Sequence, residues 1–247
     1  MRRTRLPSVG LLLVFVACGS QSSPSGPSAS TPVRVLLLTA TTGYRHDSIS
    51  TATQVLANLA SSTKEFTVTA TEDISTITAS SLANQDVLFF ALTSGELAFT
   101  SDQRAAILAF VSRGGGFLGA HSAADTLHTW PDYAGLIGAE FRDHPWTRQA
   151  TVIVEDQTHE TTTGLGDRFS IEEEFYAFRD DPRSRVHVLL RLDVASVDAA
   201  GDYPLAWTRS YGGGRVYYNA LGHFASTWND PRFQRQLTAA IRWAAGR

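Results

Sequence analysis

The stretch Gly114-Gly115-Gly116-Phe117-Leu118-Gly119-Ala120-His121-Ser122-Ala123-Ala124-Asp125 constrains the fold more than any other part of the chain. Three glycines stop one element, a short apolar run comes next, and a group of polar, reactive side chains closes it. A buried parallel strand reads as such a run, and open α/β sheets hold their ligands beyond the carboxyl ends of those strands. His121, Ser122 and Asp125 therefore stand either where such a fold keeps its chemistry or as polar residues that end the strand and cap the next element.

Around this stretch, strand and helix patterns alternate. Residues 33–39 read as a first strand, 48–59 as a helix, 66–70 as a second strand and 86–92 as a third, rich in branched and aromatic residues. Thr100-Ser101-Asp102-Gln103 has the form of a capping box, followed by apolar Ile107, Leu108, Phe110 and Val111 before Gly114 ends the helix. This order predicts an α/β fold with a mainly parallel sheet and helices on both faces. The second half is richer in strands, at 150–155, 186–192, 205–211 and 215–221. It closes on a helix from Phe233 to Ala245, with Phe233, Leu237, Ile241 and Ala244 on one face and Trp243 at its margin.

The 247 residues, 43% of them hydrophobic, suit one sizeable core, and a net charge of −3 with dispersed basic residues excludes a nucleic-acid footprint. The only basic cluster, Arg2, Arg3 and Arg5, precedes an apolar run at 9–17 that is too short to span a bilayer but suits a signal peptide. Cys18, the only cysteine, follows Val16-Ala17 in an arrangement that resembles the lipobox of bacterial lipoproteins, with Phe15 uncommon at its leading position. Residues 1–17 are thus expected as a signal peptide. Cys18 opens a Ser/Pro/Gly-rich tether over 18–32, and one domain fills 33–247. The mature chain would carry 18 basic and 24 acidic side chains, a charge of −6, and would face the periplasm or the cell surface without disulfides.

Five motifs together resemble the ThuA-like (trehalose utilisation) family: Gly43-Tyr44-Arg45-His46-Asp47-Ser48-Ile49, the Gly114–Asp125 stretch, Phe141-Arg142-Asp143-His144-Pro145, Glu173-Glu174-Phe175-Tyr176, and Tyr211-Gly212-Gly213-Gly214-Arg215 through Gly222-His223. The resemblance implies a flavodoxin-like, doubly wound sheet related to class I glutamine amidotransferases, and a role in sugar metabolism. Amidotransferase chemistry itself is excluded, because it needs a thiolate at the elbow that holds His121-Ser122, and Cys18 lies in the leader.

His46, His121 and His223 each follow an apolar strand, so parallel strands would gather them at one edge. An antiparallel last strand would carry His223 to the opposite edge. If residues 172–176 are extended, Glu172, Glu174 and Tyr176 share one face and Glu173 points the other way. The family pattern singles out Glu173 and Glu174, leaving Glu172 as a solvated edge. The catalytic set is read as His121, Glu174, Asp125 and His144, whose backbone is held extended by Pro145. Substrate contacts are read as His46, Tyr176, Trp130 and His223, with Trp130 either stacking on a sugar or packing in the core. Trp146, Trp207, Trp228 and Tyr211 are further aromatic faces for a sugar, and His159 and His187 are read as structural.

Three mechanisms are open. A histidine and a carboxylate act as general base and acid on a sugar in hydrolysis, elimination or isomerisation; or His46, His121, His144 and Glu174 hold a divalent metal; or Ser122 is a nucleophile, although alanines occupy both glycine positions of a G-x-S-x-G elbow. A non-catalytic carbohydrate-binding lipoprotein is the alternative class. Partners are then a small carbohydrate and, through lipidated Cys18, a membrane. The His121 imidazole is expected to project into the crevice, so that its replacement by alanine lowers turnover and leaves the fold nearly intact.

Overall fold

The computed structural model describes Met1 and residues 31–247. The signal segment, Cys18 and nearly all of the tether lie outside the described residues. The folded unit runs from Thr31 to Arg247.

The strands are β1 (Val33–Leu38), β2 (Phe66–Thr71), β3 (Val87–Ala91), β4 (Gly116–Ala120), β5 (Phe141–Val154), β6 (Arg168–Phe178), β7 (His187–Leu192), β8 (Pro204–Tyr211) and β9 (Gly214–Asn219). The helices are α1 (Ile49–Thr63), α2 (Ala79–Leu82), α3 (Ser101–Ser112), α4 (Pro131–Ile137), α5 (Ala225–Asn229) and α6 (Pro231–Ala244). Among the described residues these nine strands form one sheet in the order β2-β1-β3-β4-β9-β8-β7-β5-β6.

Sequence patterns anticipate the first half closely. Every residue of β3 and β4 is buried, as continuous apolar runs in a parallel sheet require. The capping box at the start of α3 is formed: Gln103 N–H donates to Thr100 Oγ1 at 3.2 Å, and Thr100 N–H donates to Gln103 Oε1 at 3.0 Å. The α6 helix packs its Phe233, Leu237, Ile241 and Ala244 face against β4 and β9.

The expectation of a mainly parallel sheet holds only on one side. The pairings β2-β1, β1-β3, β3-β4 and β4-β9 are parallel, whereas β9-β8, β8-β7, β7-β5 and β5-β6 are antiparallel. The connections explain the division. A parallel pair needs a crossover, usually an α-helix, and the connections between β5 and β9 carry no helix beyond short 3-10 turns, the last connection being the tight Tyr211–Gly214 hairpin. Because β9 still runs parallel to β4, its carboxyl end reaches the same edge as those of β1, β3 and β4.

Two further differences concern β5 and β6. Strand β5 begins at Phe141 rather than at residue 150, because its exposed first part contains Pro145 and shifts register between Phe141 and Trp146. Strand β6 carries three consecutive glutamates that mask its alternation, yet from Glu173 onward it is buried on both faces.

Candidate metal centre

Three strand ends and the interior of a fourth strand build the site. The loop after β1 supplies His46, β4 ends at His121, β9 leads through Ala220-Leu221-Gly222 to His223, and β6 contributes Glu174 and Tyr176. Ligand atoms of His46, His121, Glu174 and His223 all lie within 4.8 Å of one another. The antiparallel pairing that would have removed His223 falls on β8 instead, so the three histidines converge as a parallel edge predicts.

His121 sits at the sharp turn between β4 and the 3-10 turn His121–Asp125, with φ +51°, in the left-handed region that side chains seldom adopt. Its carbonyl accepts the Tyr218 hydroxyl at 2.7 Å, and Tyr133 pins the next turn by donating to Ala123 O at 2.8 Å. The ring is fully buried. Its Nδ1 lies 2.8 Å from Ala220 O, which only accepts, so Nδ1 carries the proton.

The lone pair on His121 Nε2 consequently faces the centre. It lies 3.0 Å from His46 Nε2, 3.1 Å from Tyr176 Oη, 3.3 Å from His223 Nδ1 and 3.4 Å from Glu174 Oε2. The His223 ring is itself 3.2 Å from Glu174 Oε2. Burial, reinforced by His121 and His223, pushes the His46 imidazolium down to about 3, which leaves this ring neutral and able to donate a lone pair at neutral pH. Burial works against ionised Glu174, but hydrogen bonds and charge from His121 and His223 hold its carboxyl well below the usual range. Glu174 in turn raises His223.

Nitrogen lone pairs and a carboxylate converging in a buried space repel unless a proton or a cation sits among them. Imidazole nitrogens with one carboxylate oxygen suit a borderline divalent ion such as zinc. His121 also has the backbone-carbonyl partner on its other nitrogen that metal-bound imidazoles ordinarily have. The residues therefore fit a divalent cation.

His46, Glu174 and His223 line a cavity of about 360 Å³ together with Tyr44, Asp125, Phe141, His144 and Tyr176, whereas the fully buried His121 ring lies behind that lining and does not project into the crevice as expected. His144 stands outside the cluster of four: it is half-exposed, with Nδ1 3.3 Å from Glu174 Oε1. Asp125 lines the cavity but is bound by His128, whose Nε2 is 2.8 Å from Asp125 Oδ1 and whose Nδ1 is 2.7 Å from Glu140 Oε1.

Other candidates fall elsewhere. Trp130 is buried, stacks on Tyr133 and carries Arg104 over its ring, so it packs the core instead of lining the cavity. Ser122 is fully buried off the cavity, its Oγ 3.5 Å from His46 Nδ1. Trp207 and Trp228 are core residues; Trp228 donates to Gly222 O at 2.8 Å. His159 pairs with Thr161 and His187 with Asp156, away from the site.

Two cavity residues were not assigned a role from sequence. Tyr44 is 63% exposed, with its ring 4.7 Å edge-on from His46, and Phe141 packs 4.4 Å from Tyr176. Both lie within motifs shared with the family, which was the available signal.

The protein is thus a mixed α/β sheet that gathers three histidines from the carboxyl ends of parallel strands and a carboxylate from β6 into a buried polar cluster beside a cavity. The sequence model of the trehalose-utilisation family ThuA matches residues 34–244, and the chain belongs to that family. A protein described as ThuA-like from Bacteroides uniformis shares 24% identity over 90% of this chain and 95% of its own, with a TM-score of 0.75. Another, from Parabacteroides merdae, shares 20% over 87% and 90%, with a TM-score of 0.71. A β-galactosidase from Bacillus circulans contains the same fold in 31% of its length, matching 87% of this chain at 14% identity and a TM-score of 0.57. No functionally curated protein matches the chain.

Proposed function

We propose that this ThuA-family protein is an exported, cation-dependent enzyme that acts on a small carbohydrate by hydrolysis, elimination or isomerisation. The observation that carries the reading is the convergence of three imidazole nitrogens and the Glu174 carboxylate within 4.8 Å, with His46, His223 and Glu174 reaching the cavity. His46, His121, His223 and Glu174 would hold the cation. When bound, it supplies Lewis-acid polarisation of a sugar carbonyl or hydroxyl.

The protein's own groups account for the remaining tasks. Tyr176 Oη, 3.1 Å from His121 Nε2, orients that ring and shares the cavity wall. His144 stands half-exposed against Glu174, where it can exchange a proton between cavity and solvent. Tyr44 offers an exposed aromatic face on which a sugar ring can stack. A lipid on Cys18 would tether the domain to a membrane.

The test is metal content and its consequence. Purified protein dialysed against chelator and reloaded with zinc should hold about one ion per chain, bind trehalose or a related disaccharide calorimetrically, and alter it only when loaded. Protein that holds no ion after reloading, or is fully active after complete removal, refutes the cation. Binding without turnover in the loaded state leaves the carbohydrate-capture alternative standing.

A further inference from the structure

Glu173 is a buried acid for which the chemistry above provides no task. Its carboxylate is fully buried and is met by donors rather than by lysine or arginine. Oε1 accepts the Gly222 N–H at 2.9 Å and the Thr227 hydroxyl at 2.5 Å. Oε2 accepts the Glu174 N–H at 2.9 Å and the His223 N–H at 3.2 Å. A buried carboxylate is costly unless its lone pairs are satisfied in this way, and one so completely bonded fixes whatever donates to it.

The groups it fixes are the parts of the cluster that are hardest to align. Glu174 is its chain neighbour on β6. His223 lies on an irregular loop far along the sequence. Gly222, between β9 and His223, has φ +129°, a conformation side chains rarely adopt, and its backbone lies against His121 Cβ. Alternation along β6 turns Glu174 towards the imidazoles and Glu173 to the other face, where it ties the Gly222-His223 backbone and Thr227 of α5 to the same strand.

We propose that Glu173 is the positioning residue of the cation site. It holds His223 and Glu174 at ligand separation in advance and adds a second buried negative charge that favours cation entry. The role rests on reading the cluster as a cation site. Outer partners of this kind typically account for about 10–100-fold in metal affinity.

The test titrates zinc alone into metal-free full-length protein in competition with a chromophoric chelator. Glu173→Gln should bind zinc about 10–100-fold more weakly than wild type with an unchanged circular-dichroism spectrum. Glu172→Gln, at the exposed neighbour, should bind as wild type does. Cobalt substituted for zinc should show an altered visible band in Glu173→Gln and an unaltered one in Glu172→Gln, a signature that loss of general stability does not produce.

If Glu173→Gln fails to fold, Thr227→Val decides, because it removes one donor to Glu173 and no ligand, and should weaken zinc by at least about threefold. Wild type that binds zinc alongside a folded Glu173→Gln that binds it equally overturns the positioning role alone. Wild type that binds no zinc overturns the cation reading and this role with it.

Discussion

Replacing His121 by alanine and, separately, by glycine tests the elbow on which the centre is built. The ring satisfies two buried groups, Ala220 O at 2.8 Å from Nδ1 and Tyr176 Oη at 3.1 Å from Nε2. Leaving each without a partner costs about 1–3 kcal/mol, so His121→Ala should destabilise the metal-free protein by roughly 2–6 kcal/mol. The sequence suggests that His121 can be removed at little cost to the fold. Complete burial of the ring makes it costly.

Glycine loses the same contacts but also loses Cβ. At an ordinary position it would be about 0.5–1 kcal/mol less stable than alanine. At φ +51° an L-residue already bears about 1–2 kcal/mol of left-handed strain, which glycine relieves. The order should therefore invert, with His121→Gly about 1 kcal/mol more stable than His121→Ala. Urea unfolding of the metal-free variants, followed by tryptophan fluorescence, measures the gap. A glycine variant equal to or less stable than the alanine variant refutes the strained elbow, and zinc affinity close to wild type in either variant refutes His121 as a ligand.

Ser122→Ala should retain zinc affinity and turnover within about threefold, because its hydroxyl is buried off the cavity at 3.5 Å from His46; a covalent adduct trapped on Ser122 by mass spectrometry would reverse this. Burial lowers His128, but hydrogen bonds from its ring to Glu140 and Asp125 more than offset it and raise the group above its ordinary 6.5. Its stabilisation is accordingly present below that value and lost as pH rises through the raised one. The stability gap between wild type and His128→Gln, from urea midpoints, should be wider at about pH 6 than at about pH 9, and a constant gap counts against the charged clamp. Mass spectrometry of the mature N-terminus should find an acylated Cys18, and an unmodified chain starting elsewhere would remove the anchor.

The apolar runs of the parallel half, and the fact that His46, His121 and His223 each follow such a run, were legible in the sequence, whereas His223's arrival at the shared edge in place of His144 rested on β9 running parallel to β4, which the tertiary structure decided. Continuous apolar runs such as 87–91 can be satisfied only by burial on both faces, and the strict direction of β1, β4 and β9 then delivers His46, His121 and His223 to one edge. Glu174 was legible as an acid because its motif is local. The antiparallel half was not legible, since pairing direction depends on what a connection can span and not on the pattern within a strand.

Alternation along an extended segment picked Glu174 over Glu173, but nothing in the sequence could separate Asp125 and His144 from the cluster. Adjacent residues on a strand face opposite ways, and which face meets three imidazoles is decided by packing β6 against loops that are distant in the chain. Trp130 shows the same limit in reverse: an aromatic ring suits a sugar or a core equally, and only its stack on Tyr133 under α4 assigned it to the core.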